Sequence, residues 1–130
     1  MKATESMLVI DLAIMRAKAG ALSRQALLWV LAASPLTLPT PDSEYDGKLA
    51  HFRPLLVQME GLKALVVFTD PRKMGRFSEL APQFIQLQGR DVIEMMPGDT
   101  GIVVNPDTDC GFEIPPQGLA AIRDELRLTT

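Results

Sequence analysis

Residues 55–69 read LLVQMEGLKALVVFT, and the rest of the fold is built around them. Two apolar runs flank Glu60-Gly61, and glycine tolerates the positive φ that a tight hairpin turn requires. Leu65 to Phe68 is a nearly continuous apolar run, which suits a central strand covered on both faces. Thr69-Asp70-Pro71 then marks a helix start. Either Thr69 or Asp70 can cap it, and Pro71 loses no hydrogen bond in the first turn. The spacing predicts a helix to about Leu80, with Met74 and Phe77 turned inward. A hairpin that feeds directly into a helix implies a sheet with helices layered against it.

Downstream, Pro82 breaks the chain and FIQLQ at 84–88 suits another strand. Residues 91–96 read as a short helix stopped by Pro97-Gly98. Ile102 to Val104 is a buried strand and Phe112 to Ile114 a short one. Pro115-Pro116 opens a last helix with Leu119, Ile122 and Leu126 on its inward face. Gly89, Gly98 and Gly111 fall at expected turns. Upstream, helical periodicity predicts two helices, near 6–19 and 24–33. Ser23 caps the second and Ser34-Pro35 ends it. Leu8, Leu12 and Met15 form a stripe on the first helix, which either completes the core or meets a partner. Leu36 to Leu38 is a short strand. Residues 39–50, PTPDSEYDGKLA, form a long loop that is either mobile or functional. The fold class is therefore α+β: a mixed β-sheet packed with helices and preceded by a two-helix N-terminal segment. Leu65, Val67, Val103 and Ile122 are expected in one core.

The 130 residues suit one domain, 1–130, with a single sizeable core. Apolar residues at 47% and charged residues at 22% fit a soluble globular protein. The opening stretch is a poor secretory signal, because Asp11 cuts its apolar run and Glu5 replaces the expected positive charge. No apolar run is long enough to span a membrane. The lone cysteine, Cys110, forms no internal disulfide, so a reducing, cytoplasmic setting is expected. The formal net charge of −3 and the absence of a basic run give no support for nucleic acid as a partner.

Chemistry-bearing patterns are sparse. Asn105, Asp107 and Asp109 alternate like the first ligands of a calcium loop, but Pro116 stands where the bidentate glutamate belongs. One histidine, His51, and one cysteine supply no zinc set. The same two residues would have to form any Cys-His pair, and an acidic loop raises the thiol pKa. Asp70, Asp91, Glu94 and Asp99 are candidate paired carboxylates, with Asp91 and Glu94 on one helix face. The amides after Asp70, with Arg72 and Lys73, form a candidate anion site that Asp70 itself opposes. Phosphate-loop, dinucleotide, zinc-protease and nucleophile-elbow motifs are all missing. No cofactor and no metal are expected.

Charge is distributed unevenly. Residues 99–113 carry four acidic groups and no basic one, whereas 72–76 hold Arg72, Lys73 and Arg76. The two stretches suggest opposed patches able to orient a protein partner. Asp99, Asp107, Asp109, Glu113 and, in the 39–50 loop, Tyr45 are the candidate interaction residues.

The segments LLVQMEGLKALVVFTDPRKM at 55–74, GRDVIEM at 89–95 and GIVVNPDTDCGFEIPPQGLAAI at 101–122 together resemble the N-terminal domain of the SseB family. The strand end at Phe68-Thr69, the helix after Gly89-Arg90-Asp91, the Val103-Val104-Asn105-Pro106 strand end and Pro115-Pro116 carry the resemblance. Asp107 stands where the family often has glycine. The resemblance implies a mixed α/β domain of bacterial proteins, here as a single-domain member, and brings no catalytic residue with it. The expected function is a non-catalytic protein-interaction or regulatory module with an unknown protein partner. A homo-oligomer formed through the Leu8-Leu12-Met15 stripe is a further expectation, and no membrane or nucleic acid is expected as partner. The alternatives are a small hydrolase or transferase, and a small-ligand or anion-binding domain.

Overall fold

A computed structural model describes residues 8–128. The hairpin forms as expected: β2 (Leu56–Met59) and β3 (Leu62–Val67) pair antiparallel with Met59 opposite Leu62. Glu60 and Gly61 close it at φ 52° and 85°, both left-handed, as a tight two-residue turn demands. β3 is central. On its other side β5 (Thr100–Val104) runs parallel, and β6 (Phe112–Ile114) pairs antiparallel outside β5, giving the order β2-β3-β5-β6. β1 (Pro35–Thr40) pairs with β4 (Gln83–Gln88) in a separate antiparallel ribbon. Thr37 and Phe68 join the two sheets by exchanging backbone bonds of 2.7 and 2.9 Å. The sheet is therefore mixed and packed with helices, with two helices ahead of it.

Alternation along the strands divides the core. Side chains two apart share a face, so Leu65, Val67, Ile102 and Val104 turn toward the helices and join one large cluster that runs from Ile10 to Leu126. Ala64, Val66, Phe68 and Val103 turn to the other face and pack with Met74, Leu55, Val57 and Phe77. Val103 therefore lies apart from Leu65, Val67 and Ile122, which corrects the expectation of one shared core.

The helices confirm most expected positions. α1 is Val9–Lys18 and α2 is Arg24–Ala32; the expected start at residue 6 lies outside the described residues. Ser23 caps α2, accepting from the Ala26 amide at 3.1 Å. α1 buries Ile10, Asp11, Ala13 and Ile14, so Leu12 and Met15 face outward, 41% and 45% exposed. Of the Leu8-Leu12-Met15 stripe, Leu8 packs against the core, whereas Leu12 and Met15 stay outside it. The helix expected over 71–80 is broken in two: a 3-10 turn at Pro71–Lys73, then α3 (Phe77–Leu80), with Gly75 at φ 52° between them. Met74 is buried and Phe77 packs on Phe68, ring centroids 5.6 Å apart. α4 (Gly89–Met95) starts two residues earlier than expected. Gly89 opens a helix instead of a turn, because α4 presses on α2 there. Its amide donates to Ser34 O at 2.7 Å, and a Cβ would stand 1.9 Å from Leu31 O. α5 (Pro116–Leu128) buries Leu119, Ile122 and Leu126 as expected. Among the described residues no helix is long and apolar enough to cross a membrane.

Candidate functional site

The carboxyl ends of the parallel strands β3 and β5 meet the first turns of α1, and a buried polar cluster fills the junction. In open α/β sheets this is the edge at which ligands bind. Asn105, which ends β5, is fully buried at φ 50°. Asparagine tolerates that left-handed backbone better than most residues. Its Oδ1 accepts from the Thr69 amide at 2.9 Å, and its Nδ2 donates to Thr69 Oγ1 at 3.1 Å and to Cys110 O at 3.2 Å. The Thr69 hydroxyl donates onward to Asp11 Oδ1 at 2.7 Å. Asp11, only 2% exposed, also meets Lys73 Nζ at 3.1 Å through its other oxygen. Each buried polar group is thereby satisfied within the cluster, as a low-dielectric site requires. Sequence reading found Asn105 as a turn residue and Thr69 as a cap, but treated Asp11 only as an interruption of an apolar run.

The same junction settles several sequence candidates. Asn105 points inward, away from Asp107 and Asp109, so the three do not converge as a cation loop. Among the described residues no three His, Cys, Asp or Glu side chains are grouped to hold a metal. The candidate anion site is taken by the protein's own carboxylate: Asp70 accepts the Arg72 amide at 2.8 Å and the Arg72 guanidinium at 2.9 Å. The bond to that guanidinium is the main reason the Asp70 carboxyl is held below its ordinary range. Cys110 is half-buried, and desolvation, then the charge of Asp11, pushes its thiol pKa up. His51 bonds Asp46 at 2.6 Å. Its neighbours Leu49 and Phe52 share a groove with Thr100, at the start of β5, whereas Cys110 sits beyond its end. The structure does not bring the histidine and the cysteine together. Nor are the candidate carboxylates paired: Glu94 meets Arg127 at 3.2 Å, Asp99 meets Lys63 at 3.3 Å, and Asp91 is exposed on α4.

The interaction candidates occupy two ends of the sheet. Asp107 takes the left-handed backbone of a glycine, φ 66°, and pairs with Arg76 at 2.5 Å. With Arg72 on Asp70 and Lys73 on Asp11, the basic stretch is spent on acids and does not form an opposed patch. Asp109 and Glu113 give their carbonyls to Lys18 Nζ (3.1 Å) and Arg24 (2.8 Å), which ties the acidic turn to α1 and α2 and leaves both carboxylates without an ion-pair partner among the described residues. Asp99 lies at the opposite end of β5, its carboxyl held below the usual range by the Thr100 hydroxyl and then by Lys63. Tyr45 packs edge-on against Phe52, centroids 5.4 Å apart. Its loop is organised by local bonds, from the Asp42 amide to Thr40 Oγ1 (3.1 Å), from the Glu44 amide to Asp42 (2.9 Å) and from the Lys48 amide to Asp46 (2.9 Å).

A family model, the SseB protein N-terminal domain, matches residues 10–121. No curated protein and no solved structure matches the chain.

Proposed function

The chain belongs to the SseB family through its N-terminal domain, and from that premise we propose that it is a non-catalytic protein-interaction or regulatory module. The observation that carries the reading is the outward face of α1. Val9, Leu12 and Met15 are exposed in succession along it, Val9 to 76%. Apolar side chains grouped this way mark contact surfaces. The helix end is tied through Lys18 to the acidic turn, whose Asp109 and Glu113 carboxylates add charge that selects and orients a partner. Asp107 and Asp99 stand in this reading as ion-paired members at the two ends of β5, and Tyr45 as a brace in the 39–50 loop. The polar cluster at the strand ends supports the same view. An acid-base or nucleophilic site needs groups free to meet a substrate, whereas Asp11, Thr69, Asn105 and Lys73 are bonded to one another. The main cluster, running from Ile10 to Leu126, supports reading the chain as one domain. We place its work in the cytoplasm, on the strength of the lone thiol.

A pull-down from cell extract with the wild type, Leu12→Glu and Asp109→Lys tests the proposal. A specific protein captured by the wild type and lost by both variants, each folded by circular dichroism, is the expected result. Retention by both variants overturns α1 and the acidic turn as the contact surface.

A further inference from the structure

β2 is an open edge. The Val66 amide donates to Leu55 O at 3.0 Å, and Leu56 stands opposite Leu65 and Gln58 opposite Lys63. Hydrogen-bonded and non-hydrogen-bonded pairs alternate in an antiparallel ladder, so the main-chain groups of Leu56 and Gln58 point away from β3. No described residue takes them. Alongside lies an apolar groove of about 310 Å³ walled by Leu49, Phe52, Leu56, Leu65, Met95 and Met96. Leu49, Leu56 and Met95 are each about half exposed there. Lys48 and Arg53, next to the wall residues Leu49 and Phe52 in the chain, are exposed and meet no acidic side chain among the described residues. Asp46 and Asp99 are taken up by His51 and Lys63.

We infer that this edge and groove bind an extended segment of another protein, which adds a strand outside β2, places an apolar side chain in the groove and sets an acidic residue against Lys48 and Arg53. The inference rests on the reading of the chain as an interaction module and names the chemistry of its partner. Strand addition joins two features that other occupants leave unused. Main-chain bonds to Leu56 and Gln58 supply affinity, and every second side chain reaches the Leu56 face, which supplies specificity. A helix in the groove would leave the edge unpaired. A second copy paired edge to edge about a twofold axis would run antiparallel, and a free chain that is a dimer by light scattering but a monomer as Leu56→Lys would be that case and would overturn the inference. A small apolar molecule would leave both the edge and the cations idle.

Selection of a displayed library of random dodecapeptides on the full chain tests the inference. Expected are enriched peptides with apolar residues at alternate positions and Asp or Glu at one end. A synthetic dye-labelled copy should lose at least tenfold in affinity against Arg53→Glu and against Leu56→Lys, and should slow hydrogen exchange at the Gln58 amide. N-methylation of its alternate amides should abolish binding. No enrichment, a helical spacing of apolar residues, an acid-free consensus or unchanged exchange at Gln58 overturns the inference. If the pull-down partner is still lost with Leu12→Glu and Asp109→Lys while the library yields nothing, the interaction reading stands and strand addition falls. An empty pull-down with strand binding as described would instead remove the α1 surface and keep this one.

Discussion

Tyr45 spends its ring on Phe52 but buries its hydroxyl without a partner among the described residues. An unsatisfied buried hydroxyl costs about 1 kcal/mol or more, so Tyr45→Phe should stabilise the protein by about 1 kcal/mol, read as a higher urea midpoint at unchanged slope. Asp11 is the opposite case. Asp11→Ala leaves Lys73 and the Thr69 hydroxyl short of an acceptor, and urea unfolding should show a loss of about 2 kcal/mol, with Lys73's partial access to water keeping it below the loss from a fully buried pair. Asp70 carries a pH signature. Its folded pKa lies below that of the unfolded chain, so its stabilisation is complete above about pH 4 and is lost as pH falls through the folded value. Asp70→Asn should therefore flatten that part of the acid limb in a stability–pH series. Of these roles only the Asp70 cap was legible in the sequence. Local capping chemistry lies within a few residues, whereas Asp11 meets Thr69 across 58 positions, and no periodicity encodes such a pairing.

Among the elements, Gly89 and Gly98 look alike in sequence and differ in structure. A Cβ at Gly89 would meet the backbone of α2 at Leu31, which cannot yield as a side chain does, whereas nothing lies within 4 Å of one at Gly98. Gly89→Ala should cost about 3 kcal/mol through forced separation of α2 and α4, and Gly98→Ala less than about 0.5 kcal/mol, both by thermal or urea unfolding. The hairpin was fully legible because its turn needs a left-handed residue and Gly61 supplies one. The break near Gly75 was missed because the apolar spacing of Met74 and Phe77 outweighed the glycine. On α1, the stripe and the buried face lie side by side on the helix. Periodicity located the helix, but a neighbour's surface decides which side is covered.

For the whole molecule, the class and most of the strand positions were in reach because the apolar runs are short, well separated and punctuated by Pro and Gly, whereas the strand order beyond the hairpin was not. The division into two clusters was not, since a run such as LVVF looks the same whichever way each side chain points. Val67→Ala, in the large cluster, should lower the unfolding free energy by about 2 kcal/mol through lost burial and a cavity. Asp11 also has a bearing on the order of events during synthesis. α1 leaves the ribosome well before Thr69, Lys73 and Asn105 exist, and at about 5–20 residues per second the wait for residue 105 is roughly 5–20 s. Contacts of such long sequence separation form late in folding. Asp11→Ala should accordingly speed unfolding while leaving the refolding rate nearly unchanged in stopped-flow chevrons. Until its seat is built, α1 carries Ile10, Ala13 and Ile14 uncovered, a greasy face that a holding chaperone would shield on the nascent chain.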